Sequence, residues 1–65
     1  MATIPGVITR IHGKAKDEVD VSYDDKTVTL KNMLPYIKIG DYVIANDEII
    51  IEILTERHAK KLMQH

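Results

Sequence analysis

Between Glu18 and Lys31 the chain alternates apolar and polar residues on both sides of a short polar break. Val19, Val21 and Tyr23 share one face of the first run, with Glu18, Asp20 and Ser22 on the other. Val28 and Leu30 share one face of the second run, opposite Thr27, Thr29 and Lys31. A period of two marks a half-buried strand. A break as short as Asp24-Asp25-Lys26 joins two such strands as an antiparallel hairpin. Any fold open to this chain must therefore contain a two-stranded ribbon with one buried face.

The run from Tyr36 to Asn46 adds a second constraint. Gly40 can adopt positive φ at little steric cost, and the Asp41 carboxylate can accept hydrogen bonds from nearby backbone amides. Tyr42, Val43 and Ile44 then favour extended backbone. This is a tight turn launching a buried strand from Asp41 to Asn46. The Asp47-Glu48 turn leads into another strand from Ile49 to Leu54. That strand is almost wholly apolar, so burial on both faces or cover from the last segment is expected. At the other end, Pro5 suits a strand start or edge because it has no amide donor. From Gly6 to His12, Val7, Thr9 and Ile11 alternate with Ile8, Arg10 and His12. Lys14 and Lys16 mark the polar loop from Gly13 to Asp17.

Asn32 to Lys38 carries Met33, Leu34, Tyr36 and Ile37 around Pro35. It is read as a loop that crosses one end of the fold and plugs it with Leu34 or Ile37. After Leu54, Thr55 is a good helix N-cap and Glu56 suits the positive end of the helix dipole. Ala59, Leu62 and Met63 recur at helical spacing, and Lys60 and Lys61 suit the C-terminal end. A helix over about residues 55–64 follows, with its apolar stripe lying as a lid on Ile50 or Leu54. Isoleucine, valine and threonine make up 20 of the 65 residues, a bias toward strands. The expected fold class is all-β, a small five-stranded barrel of the OB or SH3-like kind with a short C-terminal α-helix. Residues 1–65 form a single domain, since a chain this short buries only one small core.

Composition narrows the function. There is no cysteine, which removes disulfides, thiolate metal sites and cysteine nucleophiles. Nine lysines and arginines against ten aspartates and glutamates give a formal net charge of −1, so no broad field draws nucleic acid or acidic lipid. No apolar run approaches the roughly 20 residues of a membrane span, and no basic segment precedes an apolar signal region. A cytoplasmic location without membrane contact is expected.

Three segments carry a family resemblance. They are Ile4-Pro5-Gly6-Val7-Ile8; Val19-Asp20-Val21 with its short turn and third strand; and Leu34-Pro35 followed by Ile39-Gly40-Asp41-Tyr42-Val43-Ile44. In this order the chain resembles the HypC/HupF family of hydrogenase assembly (maturation) chaperones, whose N-terminal pattern is I-P-G-x-[IV]. The resemblance implies an OB-like barrel with a C-terminal helix. It also implies a carrier role, in which an iron–cyanide–carbonyl unit passes from a scaffold protein to the precursor of the nickel–iron hydrogenase large subunit. Family members join iron and partner through a cysteine at the second residue; here that residue is Ala2. The family histidine after the fourth strand, in a V-H-x-G-[FY]-A setting, is replaced by Ile44-Ala45-Asn46-Asp47-Glu48. A thiolate is the soft iron ligand, and an alanine methyl ligates nothing. The expectation is a non-enzymatic protein-binding module with no cofactor, unable to hold iron through an N-terminal thiolate. Its partners would be a hydrogenase maturation scaffold or a metalloenzyme precursor. Ala2, Thr3, Ile4, Pro5 and Gly6 are the candidate partner surface.

Other chemistries fare worse. His12, His58 and His65 lack the tight spacing of a zinc site. The pairs Asp17-Glu18, Asp24-Asp25 and Asp47-Glu48 do not fit the calcium-loop pattern and sit where turns are expected. Ser22, the only serine, has no histidine placed beside it by the sequence, so neither a catalytic residue nor a metal ligand is assigned. The alternative is an OB-type nucleic-acid binder using Tyr23, Tyr36 and Tyr42 with Arg10, Lys14, Lys16 and Lys31. That role is disfavoured because the tyrosines are better spent filling the core. A third reading is a structural subunit pairing through a strand edge or the terminal helix.

Overall fold

The computed structural model describes residues 4–63, Met63 in its backbone only. It contains β1 (Gly6–His12), β2 (Glu18–Ser22), β3 (Thr27–Asn32), β4 (Tyr42–Asn46), β5 (Ile49–Leu54) and α1 (Glu56–Met63). The strands close into a barrel in the order β1-β2-β3-β5-β4. The β2–β3 hairpin pairs as its alternation requires, with Val19 opposite Leu30 and Val21 opposite Val28. β3 and β5 run parallel, and β4 returns antiparallel to β1. An SH3-like meander would be antiparallel throughout, so this order is the Greek-key arrangement of the OB kind.

The core is Ile8, Val19, Val21, Leu30, Ile37, Val43 and Ile50, with Ile11, Tyr23, Val28, Leu34, Ala45 and Ile53 packed around it. Ile37 is buried and Leu34 half-buried, so the β3–β4 loop does plug the barrel end. Each fully buried aliphatic side chain contributes roughly 1.5–3 kcal/mol.

Two strands depart from simple alternation. In β1 the partners step from Ile8↔Val21 to Arg10↔Asp20, leaving Thr9 as an extra residue. This bulge reverses the phase of the strand. Ile8 and Ile11 turn inward three residues apart, instead of Ile11 sharing a face with Val7 and Thr9. In β5 the register steps from Ile44↔Glu52 to Ala45↔Ile50, so Ile51 is the extra residue. Ile50 and Ile53 meet the core while Ile49 and Ile51 are exposed. The outer face of β5 is thus open at Ile49 and Ile51 and covered only at Leu54, so neither burial on both faces nor full cover from the last segment is found. Bulges bend and twist a strand.

α1 begins as expected. Thr55 Oγ1 accepts the His58 N–H at 3.1 Å, and the Thr55 carbonyl accepts the Ala59 N–H at 2.9 Å. Glu56 pairs with Lys60 one turn on, at 3.0 Å. The helix is not a lid on the barrel interior, however. Ile50 lies inside the core. Leu54 opposes Tyr42, next to the inward pair Val43↔Ile53, so Leu54 and Tyr42 face outward. Leu54 and Ala59 are buried outside the main core, and Lys60 is near enough to Tyr42 to sense its phenol. α1 packs against this outer corner, in a molecule measuring 37 × 20 × 17 Å.

Candidate functional site

The β3–β4 loop is held from both ends. At its start, Asn32 is buried at the next inward position after Leu30. Its amide donates to the carbonyls of Lys16 and Leu34, both at 2.8 Å, and its Oδ1 accepts the Leu34 N–H at 3.0 Å. The Asn32 N–H donates to the Asp17 carbonyl at 2.8 Å. One side chain therefore ties the β1–β2 loop to the β3–β4 loop with every bond buried asparagine needs. At the far end the Asp41 N–H donates to the Lys38 carbonyl at 3.1 Å. Asp41 Oδ2 accepts the Lys38 N–H at 2.9 Å. Gly40 sits between them at φ +96°, the position of a type II turn that needs positive φ.

Between these anchors the loop points three apolar side chains at solvent: Met33, Tyr36 and Ile39 are 80%, 66% and 66% exposed. Leu34 and Ile37 take the plugging role expected of them, whereas Tyr36, expected with the other tyrosines to fill the core, is left outside. The available signal was the number of apolar residues in the loop, since one barrel end cannot accept them all.

The N-terminal candidates divide. Ala2 and Thr3 lie outside the described residues. Ile4 is exposed and lines a shallow groove with Tyr23, Asp24, Asp25 and Lys26. Pro5 and Gly6 are buried. A Cβ on Gly6 would collide with the Val21 side chain and come within 2.9 Å of Tyr23 Cε1. The Gly40 N–H donates to the Ile8 carbonyl at 2.8 Å and the Ile8 N–H to the Asp41 carbonyl at 2.9 Å. The Ile-Pro-Gly and Gly-Asp segments thus meet at the β1–β4 seam that closes the barrel.

The polar face of β1–β3 carries a small network. Asp20 Oδ1 accepts the Thr29 hydroxyl at 2.8 Å and lies 3.0 Å from His12 Nε2. The Thr29 hydrogen bond, then the His12 contact, hold the Asp20 carboxyl below its ordinary range. Both bonds fall on one oxygen, so Asp20 serves as a cross-strand tie. Burial raises the Tyr23 phenol, and the Glu56 carboxylate raises the Lys60 ammonium. The Ser22 hydroxyl lies 3.4 Å from the neighbouring Tyr23 carbonyl. The three acidic pairs are exposed, two of them wholly within turns. His58 is exposed on α1, and His65 lies outside the described residues. Among the described residues no three His, Asp or Glu side chains gather as metal ligands would, and no helix is long and apolar enough to cross a membrane.

The outer surface of β2–β3, where OB barrels commonly take oligonucleotides, displays Glu18, Asp20, Ser22, Thr27, Thr29 and Lys31. It holds two carboxylates, one lysine and no aromatic ring. Tyr23 packs on the core, Tyr36 is on the loop and Tyr42 is beside α1. No protein-family model matches the chain, and no curated protein matches it either.

Proposed function

We propose that this chain is a non-enzymatic protein-recognition barrel, similar to the HypC-type hydrogenase assembly chaperones but without their thiolate iron ligand. The observation that carries the reading is the trio Met33, Tyr36 and Ile39. Three large apolar groups stand in water on a loop whose two ends are pinned by Asn32 and Asp41. Pre-ordered apolar surface is what partner binding uses, because little ordering entropy remains to be lost. An aromatic at its centre is the residue type that most often dominates such interfaces. The face of β2–β3 lacks the stacking rings and positive groove that single-stranded nucleic acid requires, which favours a protein partner. The ordered likeness to the chaperone family supplies the partner class: a maturation scaffold or the precursor of a metalloenzyme.

The test is affinity isolation from native cells with the wild-type chain and Tyr36→Ala in parallel, followed by direct titration of the purified partner. A maturation factor or metalloenzyme precursor should bind the wild type and lose about tenfold or more in affinity to Tyr36→Ala. Stoichiometric binding of RNA or single-stranded DNA in place of protein, or a complex indifferent to Met33, Tyr36 and Ile39, would overturn the reading.

A further inference from the structure

β5 is paired along its length on one side only. β4 runs beside it from Ile49 to Leu54. β3 reaches only Ile49 and Ile50 before the chain turns away after Asn32. No residue of β5 beyond Ile50 is paired with β3. Leu54 is covered beside α1, whereas Ile51 is 55% exposed and Glu52 is exposed. A barrel ordinarily abolishes its edges by closing, but here the β3–β5 ladder is only two residue pairs long, and Ile51–Ile53 lie beyond it with their outward-directed backbone groups at an edge.

The chemistry of that edge specifies its occupant. Unpaired N–H and C=O groups in strand geometry are matched by another extended backbone. Ile49 and Ile51 are exposed on its outer side. Met33, the next register position after Asn32↔Ile50, stands exposed on the adjoining loop. The flanks are therefore apolar. The edge carries one charge, Glu52. Antiparallel pairing with a second copy about a two-fold axis within these three residues would set Glu52 against or diagonal to its own copy, an unfavourable like-charge pair. A cationic side chain in the same place gains instead.

We propose that the free edge of β5 at Ile51–Ile53 accepts an extended segment of another protein as an added strand, with apolar side chains toward Ile51 and Met33 and a lysine or arginine beside Glu52. This rests on the protein-recognition reading and assigns the partner's binding segment its conformation and charge.

The experiment uses the full chain, 15N-labelled, and three blocked synthetic peptides. One alternates valine and threonine with a central lysine; the second has glutamate in place of the lysine; the third is the lysine peptide N-methylated at alternate backbone nitrogens. The lysine peptide should move the amide signals of Met33 and Ile51–Ile53 and slow exchange of the edge amides. It should bind roughly two- to fivefold tighter than the glutamate peptide, the scale of one exposed cross-strand charge pair. Glu52→Gln should erase that preference, and the N-methylated peptide should not bind. Signals that move elsewhere, equal binding of the N-methylated peptide, no preference between lysine and glutamate, or no binding at all would overturn the proposal. So would a dimer that the lysine peptide dissolves, because the occupant would then be a second copy. If a purified protein partner binds through Tyr36 and the lysine peptide fails to compete, the edge assignment falls and the recognition reading stands. If the peptide binds as described but no protein partner is recovered, the recognition reading falls instead.

Discussion

Gly6 has a steric reason to be glycine. It sits in the Ile-Pro-Gly segment, and its hydrogen faces Val21 and Tyr23 with no room for a methyl group. Gly6→Ala should destabilise the barrel by about 1–3 kcal/mol, the usual cost of overpacking, lowering the urea midpoint with an unchanged slope. An unchanged midpoint would mean that Val21 and Tyr23 yield freely. Gly40 is different in kind: its φ of +96° is what matters, and nothing lies near its missing Cβ. The turn role of Gly40 was legible in the sequence because Gly-Asp before a β-branched run has few other uses. The close approach at Gly6 was not, because it depends on β2, which lies far along the chain. Asp47 was also hidden. It adopts φ +58° in the β4–β5 turn, and an Asp-Glu pair gives no sign of which residue turns left-handed. Asp20 supplies the pH dependence. Its folded carboxyl titrates below the ordinary value of 3.8, so its contribution is present above that value and fades as pH falls through the depressed one. Acid unfolding followed from about pH 5 to pH 2 should show a steeper loss for wild type than for Asp20→Asn. Parallel curves would remove Asp20 from the acid response.

At the scale of elements, the hairpin was readable because its two runs keep a period of two from end to end. β1 and β5 were readable in position but not in phase. Their bulges at Thr9 and Ile51 insert one residue each, and an insertion becomes visible only once the partner strand is known. The spacing of Ile8 with Ile11 and of Ile50 with Ile53 is its trace in the sequence, three residues where a regular strand would have two or four. α1 tests a separable contribution. Its cap, Thr55 Oγ1 on the His58 N–H, is local, and its buried Ala59 lies outside the main core. Thr55→Ala should weaken the helix by about 1 kcal/mol and accelerate amide exchange at His58 and Ala59. Core amides in β2 should exchange as before. Acceleration spread evenly through the barrel would show instead that helix and barrel unfold as one unit.

For the whole molecule, Asn32 is the joint between the barrel and its plug. β3 delivers this side chain to the closed end, where it holds Lys16, Leu34 and, through its backbone, Asp17. The arrangement places the exposed Met33 and Tyr36 on a fixed support, with Ile37 buried beneath them in the core. Sequence alternation marks position 32 as inward, which ordinarily calls for an aliphatic residue. An asparagine there makes sense only when two loops bring their backbone groups to it, and no local pattern announces that. Asn32→Ala removes the side-chain partner of one N–H and two carbonyls and should cost roughly 1–3 kcal/mol for the groups left unsatisfied. Ile37→Ala should cost about 2–5 kcal/mol by opening a cavity in the same region. The two variants separate stability from recognition. At a temperature where both remain folded, Asn32→Ala should loosen the loop and weaken partner binding, with the amides of residues 33–36 exchanging faster. If Asn32→Ala lowers the melting temperature yet leaves those amides and the partner affinity unchanged, the support for the exposed trio comes from Ile37 and the Gly40–Asp41 turn alone.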